Sequence, residues 1–251
     1  MQKLETKLAI LSFQDLLRYE EVKEEAVEGL IAKLLATGIL NDPIICDPEL
    51  GLLIDGHHRI EALRRLGIEM LPAHTVSYLS DDVDIVSYYR FFSCTADTLL
   101  GIVEEMVQQE IGHRAGGNHE CFRSDQQSDL MLLTRFGNSH VVRVGNSIEA
   151  SILLNHIVQQ IVVSGFDTLD SCSISWDELP AHMQSCLYLS PPPGKEDIVT
   201  MAHRSGVFPP HVNKHVVDGV VVGIRMPLQA LAGSKAEAEN ALRKLMAGAK
   251  F

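Results

Sequence analysis

The residues best equipped for chemistry lie in one short stretch, residues 52–67, which reads LLIDGHHRIEALRRLG. Its three leading apolar residues predict a buried strand, and the apolar positions that begin at Ile60 have helical spacing. Between the two stand a carboxylate, a flexible backbone position, two imidazoles and a guanidinium, supplied by Asp55, Gly56, His57, His58 and Arg59. The stretch therefore predicts a strand, a tight turn and the N-terminus of a helix.

Such a turn is suited to binding an anion. The backbone N–H groups at a helix N-terminus have no partner within the helix and carry a partial positive charge, so they favour phosphate above all. Gly56 allows the backbone to approach such a ligand closely, and Arg59 can add a bidentate contact. A second interpretation remains open, in which Asp55 only caps the helix and the histidines are ordinary surface residues.

Two other groups of residues complement a phosphate site. Glu20 and Glu21 stand at the start of a predicted amphipathic helix, where an acidic side chain can point into a neighbouring cleft. Residues 207–216, VFPPHVNKHV, bring several hydrogen-bonding side chains close together in sequence, namely His211, Asn213, Lys214 and His215. The same segment also fits an ordinary polar loop before a strand.

Phosphoryl transfer needs donors that hold the phosphates, a metal that neutralises charge, a carboxylate that takes the acceptor's proton, and a grip on the acceptor. Arg59 and the backbone of the turn are candidates for the first role. Asp55 is suited to Mg²⁺, directly or through a bound water, because hard cations prefer oxygen ligands. Glu20 is the candidate base. The sequence lacks the common P-loop, dinucleotide-binding, hydrolase and zinc-protease motifs.

Hydrophobic periodicity and turn residues predict the elements that must position these groups. Strands are predicted at 6–13, 44–46, 52–54, 71–78, 131–135, 141–144, 185–189 and 219–226. Helices are predicted at 20–37, 58–66, 96–112, 148–163, 195–203 and 234–246. Residues 83–92 have a mixed pattern. Residues 113–127 form a polar, glycine-containing segment whose histidines and cysteine lack the paired spacing of a zinc site.

Composition restricts the class of protein. The chain has 251 residues, a hydrophobic content of 46% and a net charge of −12, which suit a globular protein and argue against a broad nucleic-acid surface. Five scattered cysteines without a C-x-x-C pair favour free thiols in a reducing cytoplasm. The sequence has no recognisable signal peptide and no apolar run of about 18 residues, so neither export nor a membrane span is expected.

The pattern I-D-G-H-H-R-(x)4-R-x-L-G, followed by S-Y-L-S-D-D-V, resembles the ParB/sulfiredoxin-fold free L-serine kinases. That family includes archaeal ADP-dependent enzymes and ATP-dependent enzymes of siderophore biosynthesis. The resemblance covers residues 8–95 and resumes at 206–226, with only a loose match between 96 and 195. It implies an α+β fold with a ParB/sulfiredoxin-like nucleotide-binding catalytic domain at 1–95. It further implies a second α/β domain at 96–251, whose loop 207–216 binds substrate and whose C-terminal segment completes the cleft.

The resemblance also implies the activity and the site. The expected reaction transfers a phosphoryl group from ATP or ADP, with Mg²⁺, to the hydroxyl of free L-serine, which gives O-phospho-L-serine. Glu20 and Asp55 take the places of the family's catalytic residues, Gly56 to Arg59 form the phosphate-binding turn, and Asp55 is the metal ligand. The substrate-gripping residues fall on His211, Asn213, Lys214 and His215.

One departure from the family pattern concerns the acceptor. The kinases have Thr-Arg-His where this chain has Asn213-Lys214-His215, and Lys lacks the planar fork with which Arg grips a carboxylate. The acceptor is therefore either serine, held by another residue, or a related amino acid. The alternative function is a ParB-like nucleotide-binding regulator or DNA-binding protein. Against it stand the acidic charge and the lack of both a recognisable helix-turn-helix segment and the G-E-R-R turn typical of ParB CTPases.

Overall fold

The computed structural model describes residues 8–114, 127–137, 139–173, 175–204, 206–211 and 213–248, without the side chains of 110–114. The strands are β1 (Leu8–Ser12), β2 (Ile39–Leu40), β3 (Ile44–Asp47), β4 (Leu52–Asp55), β5 (Met70–Thr75), β6 (Val83–Ser87), β7 (Tyr89–Phe92), β8 (Gln127–Thr134), β9 (Ser139–Asn146), β10 (Thr168–Ser171), β11 (Ser185–Ser190), β12 (Asn213–Val217) and β13 (Met226–Pro227). The α-helices are α1 (Glu24–Thr37), α2 (His57–Arg65), α3 (Ala96–Arg114), α4 (Ser147–Val163), α5 (Lys195–His203), α6 (Leu228–Leu231) and α7 (Lys235–Gly248). Short 3-10 turns span Phe13–Asp15 and Trp176–Glu178.

The chain forms two compact units that differ from the expected domains. The first unit contains the residues up to Asp84, Val199–Pro210 and the residues from His215 onward, and the second contains Ile85–Ile198 and His211–Lys214. The sequence predicts instead that everything from residue 96 belongs to the second domain. The C-terminal part joins the first unit because the apolar face of α7, including Leu242, is buried in that unit's hydrophobic core.

The first unit is built on a four-stranded sheet with the order β1-β5-β3-β4. Strands β3 and β5 run parallel, whereas the β1–β5 and β3–β4 pairs are antiparallel. Helices α1 and α2 contribute apolar side chains to its core, for example Leu34 and Leu63, which pack with Ile44 and Leu53 of the sheet. This packing holds the turn between β4 and α2 at the end of a buried strand.

The second unit is built on a five-stranded sheet with the order β10-β7-β11-β8-β9, in which all neighbouring strands are antiparallel. Helices α3 and α4 pack into one core with this sheet, where Leu99 and Leu154 meet Leu132 and Leu187. A smaller cluster around Phe91 includes Trp176. The helix and sheet content of both units confirms the α+β class.

Most predicted elements are present, and one predicted strand is not. The predicted strand at 219–226 is wrong, because Gly219, Gly223 and Arg225 all have positive φ angles that interrupt an extended strand. A strand lies earlier, at Asn213–Val217, and overlaps the end of the 207–216 segment that was expected to be a loop; it pairs with β6. Most of the polar segment 113–127 lies outside the described residues. None of the helices in the described ranges has the length and apolar composition that a membrane crossing requires.

Candidate active site

The turn between β4 and α2 has the predicted strand–turn–helix form. Gly56 is the N-cap of α2 and has a φ angle of 112°, a conformation that residues with a Cβ rarely adopt. The N-cap residue is Gly56, which has no side chain to offer, so Asp55 is not the N-cap of this helix. The Asp55 side chain is instead 59% exposed at the end of β4. The helix N-terminus is therefore bordered by glycine backbone and by an accessible carboxylate.

Arg59 is held by two acceptors of the same unit. Its Nη2 donates to Asp55 Oδ2 at 2.6 Å, and its Nη1 donates to the carbonyl of Pro43. The side chain is only 19% exposed, so the guanidinium is fixed one turn into α2 and beside the Asp55 carboxylate. Arg59 thus has a defined place next to the turn, and phosphate binding by it stays a prediction.

The two histidines of the turn have different surroundings. The His57 side chain is 4% exposed, and its ring packs edge-on against Tyr19 with the centroids 4.9 Å apart. Burial, with the nearby charge of His215 next in importance, lowers the pKa of His57 to about 3, so its ring is neutral at pH 7. His57 Nε2 is buried without a hydrogen-bond partner. His58 Nε2 accepts from the backbone N–H of Lys23, the N-cap of α1, at 3.1 Å.

Glu20 lies beside His57, with its Oε2 3.9 Å from His57 Nδ1. The prediction that Glu20 begins a helix is wrong, since α1 begins at Glu24 and Glu20 forms an isolated parallel bridge with Phe208. The Phe208 N–H donates to the Tyr19 carbonyl at 2.6 Å, and the Glu21 N–H donates to the Phe208 carbonyl at 3.0 Å. The extended backbone around Glu20 is therefore set by pairing with a distant segment.

Tyr19 connects Glu20 to His215. The Tyr19 hydroxyl lies 3.1 Å from the Ile54 carbonyl and 3.2 Å from His215 Nδ1. His215 Nε2 lies 2.8 Å from the Tyr78 hydroxyl. Of the expected substrate residues, His215 therefore belongs to the same unit as Glu20 and the turn and shares a hydrogen-bonded group with them.

The other three expected substrate residues belong to the second unit. His211 has a φ angle of 62°, its ring stacks on Tyr88, and its Nδ1 lies 2.6 Å from Asp170 Oδ2. Arg90, which is buried, donates to the same Asp170 oxygen at 2.7 Å and to the His211 carbonyl at 2.8 Å. Burial raises the pKa of Asp170, but the hydrogen bond from His211 and the charge of Arg90 outweigh it and bring the pKa to about 2.

Asn213 and Lys214 differ in exposure within the second unit. Asn213 is buried, and its Nδ2 has no hydrogen-bond partner, whereas Lys214 is exposed. The structure therefore shows where all the predicted side chains lie within their own units, and it leaves their ligands as predictions.

Four residues of these networks were not singled out as functional from the sequence: Tyr19, Tyr78, Arg90 and Asp170. Tyr78 falls within the S-Y-L-S-D-D-V segment that carries the family resemblance, and Tyr19 directly precedes Glu20. Those positions offered a weak signal. The sequence contains no signal for the contact between Asp170 and His211, because no motif or periodicity connects these two positions.

Within the first unit, the Asp55 carboxylate is suited to binding Mg²⁺ together with a substrate phosphate. No group of three or more histidine, cysteine or acidic residues suited to a metal occurs among the described residues. Mg²⁺, however, is usually held by one or two carboxylates together with substrate phosphates and water. The exposed oxygen ligands of Asp55 at a helix N-terminus fit that donor set.

Comparisons with known proteins give consistent relatives, although no family model matches the chain. An ATP-dependent L-serine kinase of Staphylothermus marinus is 23% identical over 230 residues, which cover 88% of this chain and 90% of the relative. The ADP-dependent L-serine kinase SerK of Thermococcus kodakarensis is 21% identical over 206 residues, which cover 79% of this chain and 82% of the relative.

Solved structures confirm the fold. A free serine kinase in complex with AMP has a TM-score of 0.63 at 19% identity, over 90% of this chain and 93% of that chain. SbnI from Staphylococcus aureus, with a C-terminal truncation, has a TM-score of 0.72 at 16% identity, over 98% of both chains. The match over almost the whole length shows that the chain has the fold of these proteins.

Proposed function

We propose that this chain, which belongs to the free serine kinase family, transfers the terminal phosphoryl group of ATP or ADP to the hydroxyl of free L-serine. The observation that carries the proposal is the position of Glu20 beside the Asp55–Arg59 turn, within one unit and with its Oε2 3.9 Å from His57 Nδ1. A carboxylate next to a phosphate-binding helix N-terminus is the arrangement that hydroxyl phosphorylation requires. Both named L-serine kinases match this chain along most of their length.

The phosphate-binding role is assigned to the N-terminus of α2. Gly56, the N-cap of this helix, has no capping side chain, and its φ angle of 112° forms the tight turn that precedes the first N–H groups. Arg59 adds positive charge, and its contacts with Asp55 and Pro43 fix it in place. Fixed donors of this kind stabilise the charge that develops on a transferring phosphoryl group without reorganising during the reaction.

Glu20 is assigned as the general base. The serine oxygen attacks the terminal phosphorus, the bond to the bridging oxygen breaks, and the nucleotide leaves with one phosphate fewer. The proton of the serine hydroxyl passes to the Glu20 carboxylate. His57 supports this role because its neutral ring lines the space beside Glu20 without bringing a positive charge.

Asp55 is assigned as the magnesium ligand, directly or through water, and Mg²⁺ would supply neutralisation of the phosphate charge there.

His211, Asn213 and Lys214 are proposed to bind the amino acid acceptor. The buried, unpartnered Nδ2 of Asn213 supports this assignment, because a buried donor without an acceptor is costly unless a ligand supplies one. A cytoplasmic location is part of the proposal, and the free thiols of Cys46, Cys94, Cys172 and Cys186 fit it.

The test is formation of O-phosphoserine by the purified protein with L-serine and Mg²⁺, run once with ATP and once with ADP. Glu20→Gln removes the base and keeps the shape, so its kcat should fall by about 10²-fold or more while nucleotide affinity is retained. Glu21→Gln is the matched control, because Glu21 is the exposed neighbour and should leave kcat unchanged.

Two results would contradict the proposal. Absence of O-phosphoserine with both nucleotides would rule out the activity itself. A Glu20→Gln variant as active as Glu21→Gln would leave the activity and remove Glu20 as its base. The relatives and structures named above give no support to the alternative of a ParB-like regulator.

A further inference from the structure

The contact between Tyr19 and His215 has a defined direction. The Ile54 carbonyl can only accept, so the single hydroxyl proton of Tyr19 is donated to it, and the Tyr19 oxygen then accepts from Nδ1–H of His215. In the neutral ring, Nε2 accepts from the Tyr78 hydroxyl at 2.8 Å. Burial raises the pKa of both tyrosines, so both remain donors at neutral pH. The three side chains form one continuous chain of hydrogen bonds.

Both ends of the Tyr19 contact lie next to a proposed catalytic carboxylate. Tyr19 directly precedes Glu20, and Ile54 directly precedes Asp55. The Tyr19 hydroxyl therefore joins the extended segment that carries Glu20 to the end of the strand that carries Asp55. Its ring also packs edge-on against His57 and Phe208, which restricts the segment from two further sides.

The network is buried, which makes its hydrogen bonds consequential. Tyr19 is 1% exposed and Tyr78 is fully buried. A buried hydroxyl without a hydrogen-bond partner destabilises the protein, because nothing replaces the water it has lost. The hydrogen bonds among Tyr19, His215 and Tyr78 therefore strongly favour one arrangement of these side chains. Both ring nitrogens of His215 already lie within hydrogen-bond distance of tyrosine hydroxyls, which leaves the ring poorly suited to gripping a substrate carboxylate.

We propose that Tyr19 is a positioning residue that sets Glu20 relative to Asp55, and that His215 acts by holding the Tyr19 hydroxyl and not by binding the amino acid. This inference rests on the proposed function, because it assigns roles within that site. It replaces the expected substrate role of His215 and adds Tyr19 and Tyr78, which the family pattern alone does not assign.

The experiment measures steady-state kinetics of O-phosphoserine formation for Tyr19→Phe, His215→Phe and the double variant. Each single change keeps a ring and removes the contact between the Tyr19 hydroxyl and the imidazole. A displaced base lowers the rate of the chemical step, so kcat should fall by about 10- to 100-fold in each. The KM values for serine and nucleotide should stay within about two-fold of the wild type, since uniform binding is unaffected. Because both changes break one shared contact, the double variant should be little slower than the slower single variant.

Tyr188→Phe, which removes a tyrosine hydroxyl in the second unit, controls for the chemical change and should behave as the wild type. Thermal unfolding and nucleotide titration give the folded, binding-competent concentration for each kcat. If Tyr19→Phe does not fold, Tyr78→Phe is the substitute variant. It removes only the hydrogen bond between the Tyr78 hydroxyl and His215 Nε2, and it should lower kcat in the same way with unchanged KM values.

The outcomes distinguish failure of the positioning role from failure of the proposed kinase activity. A wild-type protein that makes no O-phosphoserine overturns both. An active wild type whose Tyr19→Phe variant keeps its kcat overturns the positioning role alone. A His215→Phe variant with unchanged kcat and a KM for serine raised about ten-fold or more overturns the reassignment of His215 and restores it as a substrate residue. Losses that multiply in the double variant would also contradict a shared contact.

Discussion

Gly56→Ala tests whether the phosphate-binding turn requires glycine for two separate reasons. The first is conformational, because the φ angle of Gly56 is 112°. The second is steric, because a Cβ at this position would lie 2.7 Å from Cγ2 of Ile44 and 3.1 Å from Nε of Arg59. Arg59 is the side chain that holds the Asp55 carboxylate. A Cβ that crowds Arg59 would therefore affect both the stability of the turn and its proposed role in phosphate binding.

The expected loss can be assembled from these two costs. A residue with a Cβ in left-handed backbone loses about 1–2 kcal/mol. Forcing an extra carbon into a packed site costs about 1–3 kcal/mol more. The free energy of unfolding of Gly56→Ala should therefore fall by about 2–5 kcal/mol, a large part of the stability of an ordinary domain.

The assay is urea unfolding of the variant beside two matched glycine replacements. Gly67 has a φ angle of 70° and open space around its Cβ position, so Gly67→Ala carries only the conformational cost of about 1–2 kcal/mol. Gly29 lies inside α1 with the same open space, so Gly29→Ala should gain about 0.5–1 kcal/mol. If Gly56→Ala is no less stable than Gly67→Ala, the close packing of the turn against Ile44 is refuted.

Two further predictions concern buried charges. A hydrogen bond from Arg64 lowers the pKa of Glu61 from 4.5 to about 2, so its contribution is present above pH 4.5 and is lost as the pH falls towards 2. The stability difference between wild type and Glu61→Gln, measured by urea unfolding, should narrow over that window, and a constant difference would contradict the assignment. Asp170→Asn weakens charge-assisted bonds to buried Arg90 and should cost about 1.5–3 kcal/mol in the same assay. Asp167→Asn, at an exposed Asp–His pair, should cost at most about 1 kcal/mol, and equal losses would count against a special role for Asp170.

The features predicted correctly from sequence are those with local causes. Residues 52–67 contain the apolar run, the glycine and the helical spacing that together specify a strand, a turn and a helix. Helix α5 begins and ends where the pattern predicts, and Gly38, in left-handed conformation, ends α1 as expected. In each case, the residues that decide the structure lie within a few positions of one another.

The features that sequence reasoning missed depend on distant partners. Glu20 has a helical neighbourhood in sequence, but pairing with Phe208 makes it extended. His211 was recognised as a candidate by its type, whereas the Asp170 carboxylate that orients it comes from a strand with no motif. No periodicity in a single sequence reports such pairs, because they are created only when the chain folds.

The way the first unit is assembled has a consequence for how the chain is made. Its core includes Ile10 and Leu71 from early in the chain and Leu242 from α7. Because the ribosome synthesises the chain from the N-terminus to the C-terminus, residues 85–198 of the second unit emerge before α7 can join the core of the first unit. The proposed catalytic half therefore completes its folding last, and a chain cut before α7 leaves an apolar surface that chaperones or proteases can recognise.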